Sequence, residues 1–257
     1  MRCSPIFDDW VWSYSRLRLF EQCPYAFAQR YLYQNEGVNN FYAEYGSLVH
    51  KVLEQWYKGE LGTNESTMAS AFVRLFQKYI NAWIDSGTRA KYFMSGLEYF
   101  NGGVFAPPFS SILAVEKRLN FNVGDYRFVG VIDLVYRNPD GTVTILDHKS
   151  HNLRPRSGRK KPTKYDEELD SYLTQLYLYA HALRMETGDK VSTLQFNCFK
   201  NRILVSEAWT EDGEKHALEW AENTIKAITE CTDFEARPDF FYCKNLCESR
   251  QDCEYNE

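Results

Sequence analysis

The chain has 257 residues, of which 44% are hydrophobic and 16% aromatic, and a formal net charge of −5. This length and composition favour one compact domain with insertions, and the negative charge argues against a protein that merely coats nucleic acid. No apolar run reaches transmembrane length, and no basic-then-apolar signal opens the chain. We therefore expect a cytoplasmic protein without a membrane partner. Its seven cysteines are not expected to form disulfides, and ligation of a metal or cluster by some of them is the first alternative.

The first hundred residues have the apolar spacing of amphipathic helices. Leu17, Phe20, Phe27 and Tyr31, for example, follow intervals near three and four. Loops rich in glycine, asparagine or proline separate the periodic segments. Helices are predicted at residues 13–33, 45–61, 66–85 and 89–99.

The pattern changes to strands and turns from Ile112 onward. Strands are predicted at residues 112–123, 127–137 and 142–148, then a helix at 166–186, strands at 191–200 and 203–209, and a helix at 212–231. Gly124-Asp125 and Pro139-Asp140-Gly141 have the composition of hairpin turns. This order predicts an α/β fold with a central mixed sheet flanked by helices. One domain would comprise a helical lobe (13–110), a catalytic sheet core (111–210) and a C-terminal helix with a cysteine-rich tail (211–257).

Two of the predicted strands carry carboxylates between apolar residues. Asp133 lies in the second strand, and Asp147 lies in the third, two residues before Lys149. Residues two apart on a strand share a face, so Asp147 and Lys149 project into one space. Buried carboxylates are costly unless they are paired or bound to metal. Two carboxylates can bind a hard divalent cation, and a lysine beside them can stabilise charge on a phosphate, so the set suits phosphodiester hydrolysis.

Five motifs in order resemble the PD-(D/E)XK nuclease superfamily, and in particular its RecB-like branch. They are Ser15-Arg16-Leu17 with Phe20, Cys23 and Pro24, then Gly46-x-x-x-His50, Gly130-x-x-Asp133, Asp147-His148-Lys149 and Gln175-x-x-x-Tyr179. Asp-x-Lys alone is common by chance, but the ordered set is specific. The resemblance implies a restriction-endonuclease-like core and a nuclease that uses Mg²⁺ or Mn²⁺.

The resemblance also implies roles for individual residues. The metal ligands would be His50, Asp133, Asp147 and a backbone carbonyl near His148, and the catalytic set would be Asp133, Asp147, Lys149, Gln175 and Tyr179. Lys149 would polarise the attacking water, while Gln175 and Tyr179 would support the lysine and the DNA backbone. Without the motif and the carboxylates, His50 among its apolar helix neighbours is more typical of a core residue than of a metal ligand, and an ordinary core position is the alternative for Tyr179. Glu116 suits a second acid near the metal and an exposed strand residue equally well.

A further resemblance lies in four cysteines at the two ends of the chain. Cys243, Cys247 and Cys253 are close in sequence, and Cys23 is more than two hundred residues upstream. They resemble the iron–sulfur RecB-like nucleases, including AddB-type subunits and CRISPR-associated nucleases, in which one N-terminal and three C-terminal cysteines hold a [4Fe–4S] cluster. Here three residues rather than two separate the first C-terminal pair. Four thiolates also suit structural Zn²⁺, which stays the alternative.

A basic stretch follows the catalytic strand. Its members, uninterrupted by any acid, are Lys149, Arg154, Arg156, Arg159, Lys160, Lys161 and Lys164. Such a run predicts a solvated, mobile loop that could hold a polyanion near the metal.

These observations predict a metal-dependent DNA exonuclease in DNA recombination, repair or phage DNA processing. Its substrate would be DNA with a single-stranded end. The chain has no Gly-x4-Gly-Lys-Ser/Thr motif, so unwinding would need a partner such as a helicase, and a recombinase or annealing protein is a further candidate partner. A non-catalytic DNA-binding or scaffold subunit is the alternative, and an RNA nuclease stays open because no residue here distinguishes ribose from deoxyribose.

Overall fold

The computed structural model describes residues 7, 9–62, 64–251 and 253–255. A short strand and a helical lobe come first in the chain. Their elements are β1 (Val11–Trp12), α1 (Tyr14–Gln22), α2 (Pro24–Phe27), a π-helical turn (Ala28–Leu32), α3 (Phe41–Tyr57), α4 (Glu65–Tyr79) and α5 (Ser86–Phe100). No helix among the described residues is long and apolar enough to cross a membrane.

The single helix predicted at residues 13–33 is wrong. It breaks at Cys23, whose backbone is extended with φ −160° and ψ 105°, before Pro24 begins α2. A proline disfavours helical geometry in the residue before it and has no N–H to donate. The break places Cys23 between two short helices instead of within one long one.

The sheet elements follow the predicted order closely. They are β2 (Ile112–Val123), β3 (Tyr126–Arg137), β4 (Val143–Lys149), α6 (Lys164–Thr187), β5 (Val191–Cys198), β6 (Ile203–Ala208), α7 (Glu211–Glu230) and α8 (Phe240–Asn245). Strands β2, β3 and β4 form an antiparallel meander, β4 pairs in parallel with β5, and β5 pairs antiparallel with β6. The predicted α/β fold with a mixed sheet is confirmed. The cysteine-rich tail, for which no regular element was predicted after residue 231, contains the short helix α8.

Two apolar clusters cover the two faces of this sheet. Helices α6 and α7 pack against one face, where Ile145 and Phe196 are fully buried. Helices α3, α4 and α5 pack against the other, where Leu146 and Phe199 are buried. Strand β4 is therefore buried on both faces, which places its last residues between α3 and α6.

Candidate active site

Three carboxylates lie side by side on adjacent strands. The pairs Val115–Leu134 and Lys117–Ile132 bring Glu116 on β2 opposite Asp133 on β3. The β3–β4 pairing begins at Leu134 and Leu146, one residue from Asp133 and Asp147. There the Asp133 carboxylate, rather than a strand carbonyl, accepts a hydrogen bond of 2.6 Å from the backbone N–H of His148. The site thus forms where β3 and β4 diverge.

Helix α3 adds His50 to these carboxylates. His50 Nδ1 lies 3.4 Å from Asp133 Oδ2, and Nε2 lies 2.9 Å from the carbonyl oxygen of His148. Ligand atoms of His50, Glu116 and Asp133 lie within 4.8 Å of one another. Neighbouring ligands of an octahedral Mg²⁺ ion are about 3 Å apart, so the spacing suits one divalent cation.

Glu116, whose role the sequence left undecided, occupies this group in an unusual backbone conformation. Its φ is +52° within β2, a region that costs a non-glycine residue energy and that often marks functional sites. Burial, with Asp133 adding to it, raises the pKa of Glu116 to about 7. The carboxylate is therefore crowded by negative charge unless a cation is bound.

The pKa values of the other charged groups in the site are shifted by the same close approach of charges. Burial raises the pKa of Asp147, and Asp133 raises it further against the effect of Lys149. Burial disfavours the charged forms of Asp133 and His50, but the two residues stabilise each other's charges. This mutual effect is the stronger one, so the pKa of Asp133 is lowered and that of His50 is raised to about 9. Carboxylates at such close range, two of them with raised pKa values, form a donor set that a hard cation would neutralise.

Lys149 is held on the α6 side of β4. Its Nζ lies 2.8 Å from Asp147 Oδ2 and donates to Gln175 Oε1 at 2.8 Å. Gln175 Nε2 in turn lies 3.2 Å from the hydroxyl of Tyr179, to which it donates. Burial opposes the lysine charge, but Asp147 raises the Lys149 pKa above its ordinary value. Lys149 is consequently a charged, oriented donor.

Gly130 has a packing role that accounts for its place in the Gly-x-x-Asp motif. A Cβ atom there would lie 2.3 Å from a ring carbon of Tyr179. Only glycine lets α6 pack this closely against β3. Tyr179 therefore combines both roles considered for it, since it is buried in the core and bonded to Gln175.

The imidazole of His148 points away from the carboxylates. Its ring stacks on Tyr57 at 5.7 Å with an interplanar angle of 4°, and its Nδ1 lies 3.1 Å from Asn197 Nδ2. Burial lowers the pKa of His148 to about 3, so the ring is neutral. The ring also lies edge-on to that of His50, with the two centroids 5.5 Å apart. The backbone carbonyl oxygen of His148, 2.9 Å from His50 Nε2, is the atom of this residue that is placed to act as a metal ligand.

A cleft of about 410 Å³ opens beside Lys149 and Gln175. Aromatic and basic side chains from several segments line it, and these are Tyr14, Tyr31, Tyr172, Tyr242, Arg18 and Arg30. Sequence reasoning missed this surface, because its members come from α1, the π-helical turn, α6 and α8.

The four cysteines of the two chain ends, Cys23, Cys243, Cys247 and Cys253, line one small cavity. The backbone N–H of Arg237 donates to Cys23 Sγ at 3.5 Å, and that of Asp239 donates to Cys243 Sγ at 3.3 Å. Burial raises the pKa of the Cys247 thiol, and the three other sulfurs raise it further. An all-thiol set with N–H donors suits a thiolate-bound metal or cluster. We call these residues the four-cysteine site.

The basic loop after β4 is tied down at its base. The Asp166 carboxylate accepts hydrogen bonds of 2.7 Å from the backbone N–H groups of Ser157 and Thr163. Arg156 lies 2.6 Å from Asp170 and 3.2 Å from Glu207. The exposed residues Arg159, Lys160 and Lys161 form its tip. Because these contacts hold the base of the loop, the predicted mobility concerns only its tip.

Comparison with known proteins matches residues 11–257 to the PD-(D/E)XK nuclease superfamily. No curated protein matches the chain. A solved structure described as "Putative exonuclease" from Eubacterium rectale is similar, with a TM-score of 0.56 and 14% identity over 98% of this chain and 93% of that chain. At this identity the likeness shows the fold alone. The crystal structure of SSO0001 aligns with a TM-score of 0.37 and 15% identity over 96% of this chain and 87% of that one.

Proposed function

Because the chain belongs to the PD-(D/E)XK nuclease superfamily, a group of metal-dependent nucleases, we propose that it is a DNA exonuclease of the RecB-like iron–sulfur branch. It would act in DNA recombination, repair or phage DNA processing. The observation that carries the proposal is the convergence of His50, Glu116 and Asp133 beside the Lys149–Asp147 ion pair.

The proposed metal ligands are His50, Asp133, Asp147 and the carbonyl oxygen of His148, with Glu116 in reach as a further carboxylate. Bound Mg²⁺ or Mn²⁺ would neutralise charge on the scissile phosphate and lower the pKa of the attacking water. Asp133 also holds the β4 backbone in place through its hydrogen bond to His148.

Lys149 would act as a donor and not as the base. Asp147 raises its pKa, so the ammonium keeps its proton at neutral pH. It can therefore donate to a phosphate oxygen or to the attacking water. Gln175 fixes the direction of the ammonium, and Tyr179 in turn fixes Gln175. This chain of contacts limits where the phosphate can sit.

The cleft beside Lys149 supports a substrate with a single-stranded end. Tyrosine rings can stack on unpaired bases, and arginines attract the phosphates between them. Arg18 and Arg30 line the same cleft as Tyr14 and Tyr31, next to the proposed site of cleavage. Each of these arginines pairs with a single glutamate, unlike Arg156, which pairs with two acids. A duplex has no exposed base faces for these rings.

For the four-cysteine site we propose a [4Fe–4S] cluster. The N–H donors to Cys23 and Cys243 support it, because such bonds accompany cluster ligation. Structural Zn²⁺ on the same four thiolates is the alternative occupant.

The direct test is digestion of end-labelled linear single-stranded DNA, double-stranded DNA and RNA with Mn²⁺, beside Asp147→Ala as control. Closed circular single-stranded DNA in the same assay tests the need for an end. We expect loss of linear single strands, little loss of circles and no loss with the variant. Equal cleavage of circles would contradict an exonuclease, cleavage of RNA alone would make the substrate RNA, and binding without cleavage would favour a scaffold.

A further inference from the structure

Asn40 lies between the four-cysteine site and helix α3. Its side chain is only 7% exposed. The Oδ1 atom accepts a hydrogen bond of 2.8 Å from Tyr42 N and so caps α3. The Nδ2 atom donates to the carbonyl oxygens of Asn245 and Leu246 at 3.0 and 2.9 Å. One buried amide thus joins the start of α3 to the backbone just before Cys247.

The residues before Asn40 repeat this connection. The backbone N–H of Val38 donates to the carbonyl of Glu248 at 2.9 Å. The guanidinium of Arg250 donates to the carbonyls of Asn39 and Cys247, both at 2.8 Å. Residues 38, 39 and 40 are therefore each bonded to the segment that carries three of the four cysteines.

Helix α3 connects Asn40 to the metal site. His50 is ten residues further on, about 15 Å along a rigid helix axis. On another side of the same helix, Glu44 accepts hydrogen bonds of 2.7 Å from Asn81 N and Ala82 N. Loss of the Asn40 contacts would release the start of α3, while Glu44 and the buried face of the helix keep it folded. A shift of that start along the rigid helix would move His50 relative to Asp133.

We infer that Asn40 is a positioning residue that couples the four-cysteine site to the catalytic metal site. An occupied four-cysteine site fixes the carbonyls of Asn245 and Leu246, and through Asn40 these hold His50 at the distance from Asp133 that suits a divalent cation. An emptied site releases the carbonyls and weakens cation binding. This inference rests on the proposed function, because it assumes a cation at His50 and Asp133.

The first test compares Asn40→Ser with Asn64→Ser in the anaerobically purified full chain. Serine caps a helix about as well as asparagine, so both variants keep their caps. Asn64 caps α4 through Ser66 N, whereas Asn40→Ser loses the two donors to the cysteine segment. We expect Mn²⁺ binding, followed by electron paramagnetic resonance, to weaken about tenfold in Asn40→Ser and to stay unchanged in Asn64→Ser. Equal Mn²⁺ affinity in the two variants would overturn the coupling.

A second test adds Cys243→Ser to the wild type and to Asn40→Ser. If Asn40 transmits the state of the cysteines, Cys243→Ser weakens Mn²⁺ binding in the wild type and has little further effect in Asn40→Ser. Additive losses would refute this route, and if Cys243→Ser does not fold, the first comparison decides alone. A wild type that binds no Mn²⁺ would defeat the proposed function itself. Normal Mn²⁺ binding and cleavage in Asn40→Ser would defeat only the coupling.

Discussion

The carboxylate site and the four-cysteine site are built in opposite ways. Asp133 and Asp147 lie on central strands whose apolar neighbours are buried, so the sheet places them whatever they bind. The cysteines lie on short elements from both chain ends, held mainly by hydrogen bonds around one small cavity. The sheet fixes the first site, whereas we propose that the tail around the second is stabilised by the metal or cluster that the cysteines bind. Substitutions should therefore remove activity at one site and stability at the other.

The largest effect on activity is expected from Lys149→Ala. Loss of a preorganised donor to the transition state lowers rates by about 10²–10³-fold. DNA affinity should change little, because the Lys149 ammonium is already paired with Asp147 and because Arg18 and Arg30 in the cleft and the basic loop remain to hold the phosphates. Cleavage rates and gel-shift affinities measure the two separately.

The matched control is Lys117→Ala, which removes a lysine of β2 that pairs with Glu186 at 2.7 Å. It should cleave at nearly the wild-type rate. Equal loss of binding and cleavage in Lys149→Ala would instead identify Lys149 as a DNA anchor.

The largest effect on stability is expected from Cys23→Ser. Binding of a metal or cluster by thiolates contributes directly to folding, and Cys23 would be the proposed ligand that ties the N-terminal helices to the tail. The melting temperature should fall by roughly 10 °C or more in a domain of this size. Cys231→Ser is the control, since the Cys231 thiol bonds only locally to the Asp233 carbonyl. If Cys23→Ser melted at the same temperature as Cys231→Ser, the proposed structural role of Cys23 would be wrong.

The sheet was predictable from sequence because its signals are local. Strand β2 spans Ile112–Val123 as predicted, since alternation and the Gly124-Asp125 turn define both ends. The same turn sets the β2–β3 register, so Glu116 could have been placed opposite Asp133 by counting from it. Counting residues from the turn would therefore have favoured Glu116 as an acid near the metal over Glu116 as an exposed strand residue.

Other features were missed for different reasons. Apolar spacing runs without interruption across Cys23 and Pro24, so periodicity predicted one helix where the proline requires a break. The tyrosines and arginines of the cleft come from segments far apart in sequence. Asn40 has the sequence context of an ordinary loop asparagine, and only the tertiary contacts show that it joins two sites.

Glu116→Gln should have opposite effects with and without metal. Burial and Asp133 raise the pKa of Glu116 to about 7, compared with an ordinary value of about 4.3. Between these values the folded protein holds a proton that the unfolded chain releases, so metal-free stability falls as the pH rises toward 7. At pH 8 with a chelator the variant should be more stable by about 1 kcal/mol, a value reduced because Glu116 is only partly buried.

Melting curves at pH 8 and pH 4.5, with chelator and with Mn²⁺, measure this balance. The gain should fade at pH 4.5, where the wild-type carboxyl is largely protonated in the folded state and about half protonated in the unfolded chain. With Mn²⁺ the order should reverse, because the wild type keeps a carboxylate near the cation. A variant less stable than the wild type under all four conditions would show that Glu116 serves the fold alone.

The smallest effect is expected at the tip of the basic loop, which belongs to neither site. Replacing Arg159, Lys160 and Lys161 with alanine should weaken DNA binding several-fold, because these exposed side chains can meet phosphates near Lys149. Each basic side chain that neutralises a phosphate of single-stranded DNA adds about 0.7 to the steepness of log affinity against log salt. The triple variant should therefore have a slope shallower by up to about 2.

Mn²⁺ affinity and melting temperature should not change in this triple variant, since the base of the loop stays bonded to Asp166. Arg156→Ala is the matched control, because its guanidinium already pairs with Asp170 and Glu207 and is not free to hold a phosphate. An unchanged salt slope in the triple variant, or a slope equally reduced in Arg156→Ala, would show that the tip does not hold the substrate.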